Sequence, residues 1–142
     1  MGRRASREIA MKLLYQLEIQ KEDREQQIKM ALEENELSDN DRQYITDIVT
    51  GVLDKVEYLD RVIEKHSKGW RLNRIPKVDL SILRLAIYEI CFRDDIPYNV
   101  SVNEAVELAK KYSSEEAGAF INGILSKVPK LRVVSIDNSV DS

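Results

Sequence analysis

Arg3, Arg4 and Arg7 open a chain that is acidic as a whole, with 22 Lys and Arg against 25 Asp and Glu. Guanidinium forks grip phosphate oxygens through two parallel hydrogen bonds, so three on one helical arc form a candidate phosphate-binding surface. The alternative is a solvated helix face. Position favours contact: cations at a helix N-terminus oppose the macrodipole, and an external anion resolves that conflict. Single-stranded nucleic acid also needs stacking faces. Tyr15 and Phe120 are candidates, with helical packing the ordinary alternative for Phe120.

Catalytic chemistry has little to draw on. The chain holds one histidine, His66, and one cysteine, Cys91. Cys91 falls in the most apolar segment, where burial raises a thiol pKa and leaves it inert. No phosphate-binding glycine loop, dinucleotide fingerprint or zinc-protease motif occurs, and metal binding would rest on carboxylates alone. The reading is a non-enzyme without metal or cofactor. A second charged group, Asp79, Arg84, Tyr88 and Glu89, interrupts that apolar segment. It serves either as intramolecular ion pairs anchoring neighbouring helices or as a protein-contact edge.

Helical periodicity must position these groups. In the first segment Ala5, Ile9, Leu13 and Leu17 recur every four residues, with Ala10 and Leu14 beside them. The three arginines then fall within an arc of roughly 100° turned away from Ile9 and Leu13. A second helix is expected near Glu22 to Asn35, with Ile28, Ala31 and Leu32 inward. Ser38 can cap a third, whose stripe runs from Ile45 through Val52 to Ile63; Gly51 there marks a close helix crossing or a break. Gly69 suits a helix terminus and Pro76 a restart. "VDLSILRLAIYEICF" is apolar on nearly every side and is expected at the centre. "SVNE" at Ser101 to Glu104, and again Ser113 to Glu116, have the capping-box form.

The expected fold is therefore all-α: a compact single domain of six or seven helices with short loops and no internal repeat. Its length, 142 residues, suits one core, and five glycines and three prolines are few enough to favour helix. Residues 1–130 form the expected domain, and 131–142, a polar tail, are expected to be disordered. One cysteine excludes an intrachain disulfide and fits a reducing, cytoplasmic setting. No segment approaches the length of a membrane span, and Glu8 and Glu18 argue against an N-terminal address.

Four ordered segments, "GRRASREIAMKLLYQL", "GWRLNRIPKVDLSILRLAIYEI", "IPYNVSVNEAVELAKKY" and "AFINGILSK", resemble the NusB family of bacterial transcription factors. The similarity covers roughly Gly2 to Val128. The same helical module resembles the N-terminal part of an rRNA cytosine methyltransferase family, but no catalytic domain follows here. The resemblance implies two packed helical sub-bundles and a non-catalytic antitermination factor. Such a factor binds single-stranded boxA RNA with the ribosomal protein NusE, within the RNA polymerase elongation complex and other Nus factors, notably on rRNA operons. Carried onto this chain, it implies RNA contacts at Arg3, Arg4, Arg7, Glu116 and Phe120, and a NusE-facing edge including Asp79, Arg84, Tyr88 and Glu89. Ala119 stands where relatives often carry a cation, and Asn99 where some carry Lys, which implies weaker RNA binding alone. A protein–protein adaptor without RNA binding is the alternative, and a Cys91 hydrolase or transferase a more distant one.

Overall fold

In the computed structural model, residues 2–129 are described, and the expected disordered tail lies outside them. Among the described residues there are seven helices and no strand. They are α1 (Arg3–Ile19), α2 (Arg24–Glu34), α3 (Asp39–Asp54), α4 (Val56–His66), α5 (Lys77–Phe92), α6 (Tyr98–Tyr112) and α7 (Glu115–Leu125). A single 3₁₀ turn, Leu72–Arg74, leads into α5.

The apolar α5 is the hub. Ile82, Leu83, Ile87 and Ile90 are fully buried, because α5 packs against α1, α3, α4, α6 and α7. On one side α1 and α3 pack on it, with α2 lying on α1, and on the other α6 and α7 form the most extensive pairing among the described helices. These are the two sub-bundles, with α5 shared between them. By contrast α2 buries no residue fully; Ile28, Ala31 and Leu32 only rest against the core.

Caps show where local sequence governs and where it yields. Ser38 begins α3 with a reciprocal capping box, its hydroxyl accepting from the Asp41 backbone N–H while the Asp41 carboxylate accepts from that of Ser38. The third expected stripe divides at Lys55 into α3 and α4. Gly51 marks a crossing instead: a Cβ there would lie 2.3 Å from Tyr88 Cζ. Ser101 caps nothing, since Pro97 starts α6 one turn earlier. At α7 the cap is Ser114, whose hydroxyl accepts from the Ala117 N–H 2.9 Å away, and not Ser113.

Candidate nucleic-acid interface

The buried face of α1 runs through Ser6, Arg7, Ala10, Leu13, Leu14 and Leu17, while Ala5 is exposed. Residues seven apart lie only about 20° from each other around a helix, so Arg7 shares the face of Leu14. This overturns the expected surface arc of three arginines: only Arg3 and Arg4 reach solvent, and Arg7 is 3% exposed.

Arg7 is held by Glu89 of α5, which is fully buried. Its Nε donates to Glu89 Oε2 at 2.9 Å and its Nη2 to Oε1 at 3.3 Å. Ser101 Oγ of α6 donates to the same carboxylate at 2.8 Å, and Tyr44 Oη of α3 also donates to it. One carboxylate therefore joins α1, α3, α5 and α6. Burial works to lower the Arg7 pKa, but Glu89, Tyr44 and Glu104 outweigh it and the guanidinium stays charged. Burial is also the main cause raising the Tyr44 hydroxyl, which keeps it a donor.

Arg4, on the surface, makes a two-pronged pair with Glu104 of α6, Nε to Oε1 at 2.9 Å and Nη2 to Oε2 at 2.6 Å. Glu104 is held below the usual carboxylate range by Arg4 first, with Arg7 adding to the effect. Arg3 lies over the Tyr44 ring, 4.3 Å from its centroid. Farther along, Lys111 of α6 donates to Glu8 at 2.8 Å. The N-terminal cations are thus largely engaged with the protein itself.

Glu116 and Phe120 lie one turn apart on α7, a helix whose Gly118 rests on the Lys110 stem of α6. Glu116 is exposed and Phe120 half-buried. α6 stands between the two groups of sequence-expected RNA contacts. Phe120 meets Trp70 edge to face, ring centroids 6.0 Å apart. Trp70, within "GWRLNRIP", is exposed beside Phe120, a position that the sequence pattern does not reveal.

The expected partner edge does not exist as one surface. Asp79 and Glu89 are buried, and Tyr88 is nearly so. The four residues do not share one side of α5: Arg84 and Tyr88 lie about 40° apart around the helix, but Asp79 and Glu89, each five positions from Arg84, lie about 140° away from it. Tyr88 lies against Gly51, its hydroxyl donating to Asp47 at 3.1 Å. Asp79 sits in the first turn of α5 with Oδ1 unpartnered; burial raises its pKa and Ser113 opposes the rise. Arg84 alone reaches a cleft, which it shares with Glu18, Glu64 and Lys77. There it donates to Asp60 at 2.8 and 2.9 Å and to Glu18 at 2.8 Å, tying α5 to α4 and α1. The intramolecular anchor is the reading the geometry supports.

Among the described residues no group of three or more His, Cys, Asp or Glu is placed to hold a metal ion. No described helix is long and apolar enough to cross a membrane. Cys91 is buried.

The NusB family model matches residues 4–130. The chain belongs to the NusB family. The transcription antitermination protein NusB of Acetivibrio thermocellus is 66% identical over 139 residues, covering 98% of this chain and 96% of that protein. That of Ruminiclostridium cellulolyticum is 65% identical, covering 100% and 99%. Among solved structures, T. maritima NusB superposes with a TM-score of 0.85 at 36% identity over 92% of each chain. A crystal structure of the antitermination factors NusB and NusE in complex with double-stranded RNA gives 0.82 at 30%, over 90% of this chain and 96% of that one. The family is non-catalytic, as the residue inventory suggested.

Proposed function

We propose that this chain is a transcription antitermination factor that binds boxA RNA together with NusE, and that it acts with the other Nus factors on elongating RNA polymerase, notably in rRNA operons. The observation that carries the reading is full-length kinship at 66% identity with a NusB antitermination protein. The likeness to a NusB chain solved with NusE and RNA supports the choice of partners. Residues 1–130 act as the RNA-binding domain.

On this reading Arg3 and Arg4 meet phosphates. Phe120 offers part of its ring to an unpaired base, and the Glu116 carboxylate accepts from base amino groups. Arg7 contributes indirectly, by fixing α1 against α5. NusE docks beside the Arg84 cleft, a surface of mixed charge where Glu18 and Glu64 alternate with Arg71, Lys77 and Arg84.

The test is titration of a labelled boxA RNA, single-stranded and as a duplex, against a shuffled control, with and without NusE across a salt series. Sequence-selective binding that NusE strengthens supports the reading. Failure to bind any RNA in every arm, with NusE still bound, leaves a protein–protein adaptor.

A further inference from the structure

Trp70 is 52% exposed, the largest side chain left open on the described surface. A short turn after α4 holds it there. Ser67, itself buried, donates from its hydroxyl to the Trp70 carbonyl at 2.7 Å, and the Trp70 N–H donates back to the Ser67 carbonyl at 3.2 Å. Between them Lys68 and Gly69 both take positive φ, 51° and 87°. Lys68 bears the strain of a left-handed conformation that glycine adopts freely. The turn thus fixes an indole at the surface, braced edge-on by Phe120.

Two clefts flank the indole. One, of about 330 Å³, includes His66, Lys68, Phe120, Gly123 and Lys127. The other is bordered by Lys68, Gly69, Arg71 and Arg74. Neither is lined by a carboxylate. Lys68 and Lys127 form no ion pair among the described residues, and burial together with Lys68 pushes the Lys127 pKa down. In an acidic protein whose other exposed cations are so often paired, this is uncompensated positive charge beside an open aromatic face. Gly123 has nothing within 4 Å of where a Cβ would stand, which leaves the wall of the first cleft bare for a flat ring.

We propose that Trp70 is a stacking platform for an unpaired RNA base, with Lys68 and Lys127, which line the same cleft beside it, holding an adjacent phosphate. The inference rests on the RNA-binding reading above and extends that site from α7 onto the α4–α5 turn. Charge complementarity selects the occupant: an acidic peptide would satisfy the lysines but has no flat face for the indole, whereas a nucleotide supplies both.

Trp70 is the chain's only tryptophan, so its emission reports this site alone. Labelled boxA RNA is titrated in the presence of NusE, with anisotropy reading affinity and indole emission reading stacking. Saturating single-stranded RNA is expected to quench Trp70. Trp70→Ala is expected to weaken binding about five- to a hundredfold, with Trp70→Phe recovering most of the loss. Lys68→Ala and Lys127→Ala are each expected to make the salt slope shallower by about 0.7. Wild-type affinity in Trp70→Ala and an unquenched indole, with Phe120→Ala still weakening RNA, would remove the inference and leave the RNA reading standing. Equal quenching by duplex RNA, or quenching by NusE alone, overturns the unpaired-base platform. RNA binding absent altogether removes both.

Discussion

Replacing Arg7 by alanine separates two roles that the same arginine could play. As a phosphate ligand it would cost affinity and leave stability untouched. As the buried partner of Glu89 it holds α1 to α5, and its removal leaves a fully enclosed carboxylate without this cation, though Tyr44 and Ser101 still donate to it. Breaking a buried pair by deleting one partner costs about 3–5 kcal/mol. For a domain of this size that corresponds to a fall in Tm of about 10–20 °C. A natural domain holds only about 5–15 kcal/mol in total, so the variant should sit close to its unfolding threshold.

The assay is thermal and urea unfolding followed by circular dichroism, with Arg4→Ala as the surface control. Arg4 is 73% exposed, so water screens its pair with Glu104 and losing that pair should cost far less than losing Arg7. Glu89→Ala should be as damaging as Arg7→Ala. The double variant should fall well short of their sum, since the second deletion removes a charge already stranded. An Arg7→Ala protein within about 3 °C of wild type in Tm, with RNA affinity lost in a salt-dependent way, would refute the buried-anchor account.

Gly51→Ala drives a Cβ into the Tyr88 ring and should destabilise by about 1–3 kcal/mol despite the better helix propensity of alanine. In a Tyr88→Ala background the same change should reverse sign and stabilise by about 1 kcal/mol; no reversal in urea unfolding would mean the contact is not what keeps Gly51. Arg93 holds the Asp95 carboxyl down to about 2, so the folded pKa lies below the unfolded one. Its contribution is complete above pH ~4 and lost as pH falls through about 2. Asp95→Asn should therefore lower Tm modestly at pH 7 and hardly at all near pH 2, and an equal deficit at both would contradict the assignment. Glu104→Gln should free Arg4 for phosphate, tightening RNA binding a few-fold at low salt with the gain fading as salt rises, as read by anisotropy. A weakened affinity there would show that Glu104 positions Arg4 and does not compete for it.

Much of the fold is legible because α5 is apolar around nearly its whole circumference, and only a central helix can satisfy such a pattern. Ser38 and Asp41 likewise carry their capping box in local sequence. What fails is information held in tertiary contacts. Spacing of four runs the α1 stripe through Ala5 and Ile9, whereas Arg7 shares its azimuth with Leu14. An arginine on that azimuth is interpretable only once Glu89, eighty-two positions away, is seen to face it. The "SVNE" box misled for a related reason: Ser101 and Glu104 are polar because they meet Glu89 and Arg4 across helices, not because a helix begins there. The exposure of Trp70 is likewise absent from the sequence, which gives no sign that it lies outside the core.

These pairings alter how an acidic chain can serve RNA. Net charge is a weak guide, because at physiological salt charges more than ~8 Å apart are largely screened, and local arrangement decides. Locally, Arg4 already carries a carboxylate and Arg7 is enclosed, so a phosphate arriving at α1 must displace or share Glu104. Counterions are released only where cations are bare, which makes the expected salt slope shallower than three N-terminal arginines would suggest. Bare cations lie instead around the α4–α5 turn, next to the aromatic pair. RNA affinity in the proposed function then rests on stacking, a few loop lysines and the two surface arginines, with NusE supplying further positive charge that the enclosed Arg7 cannot.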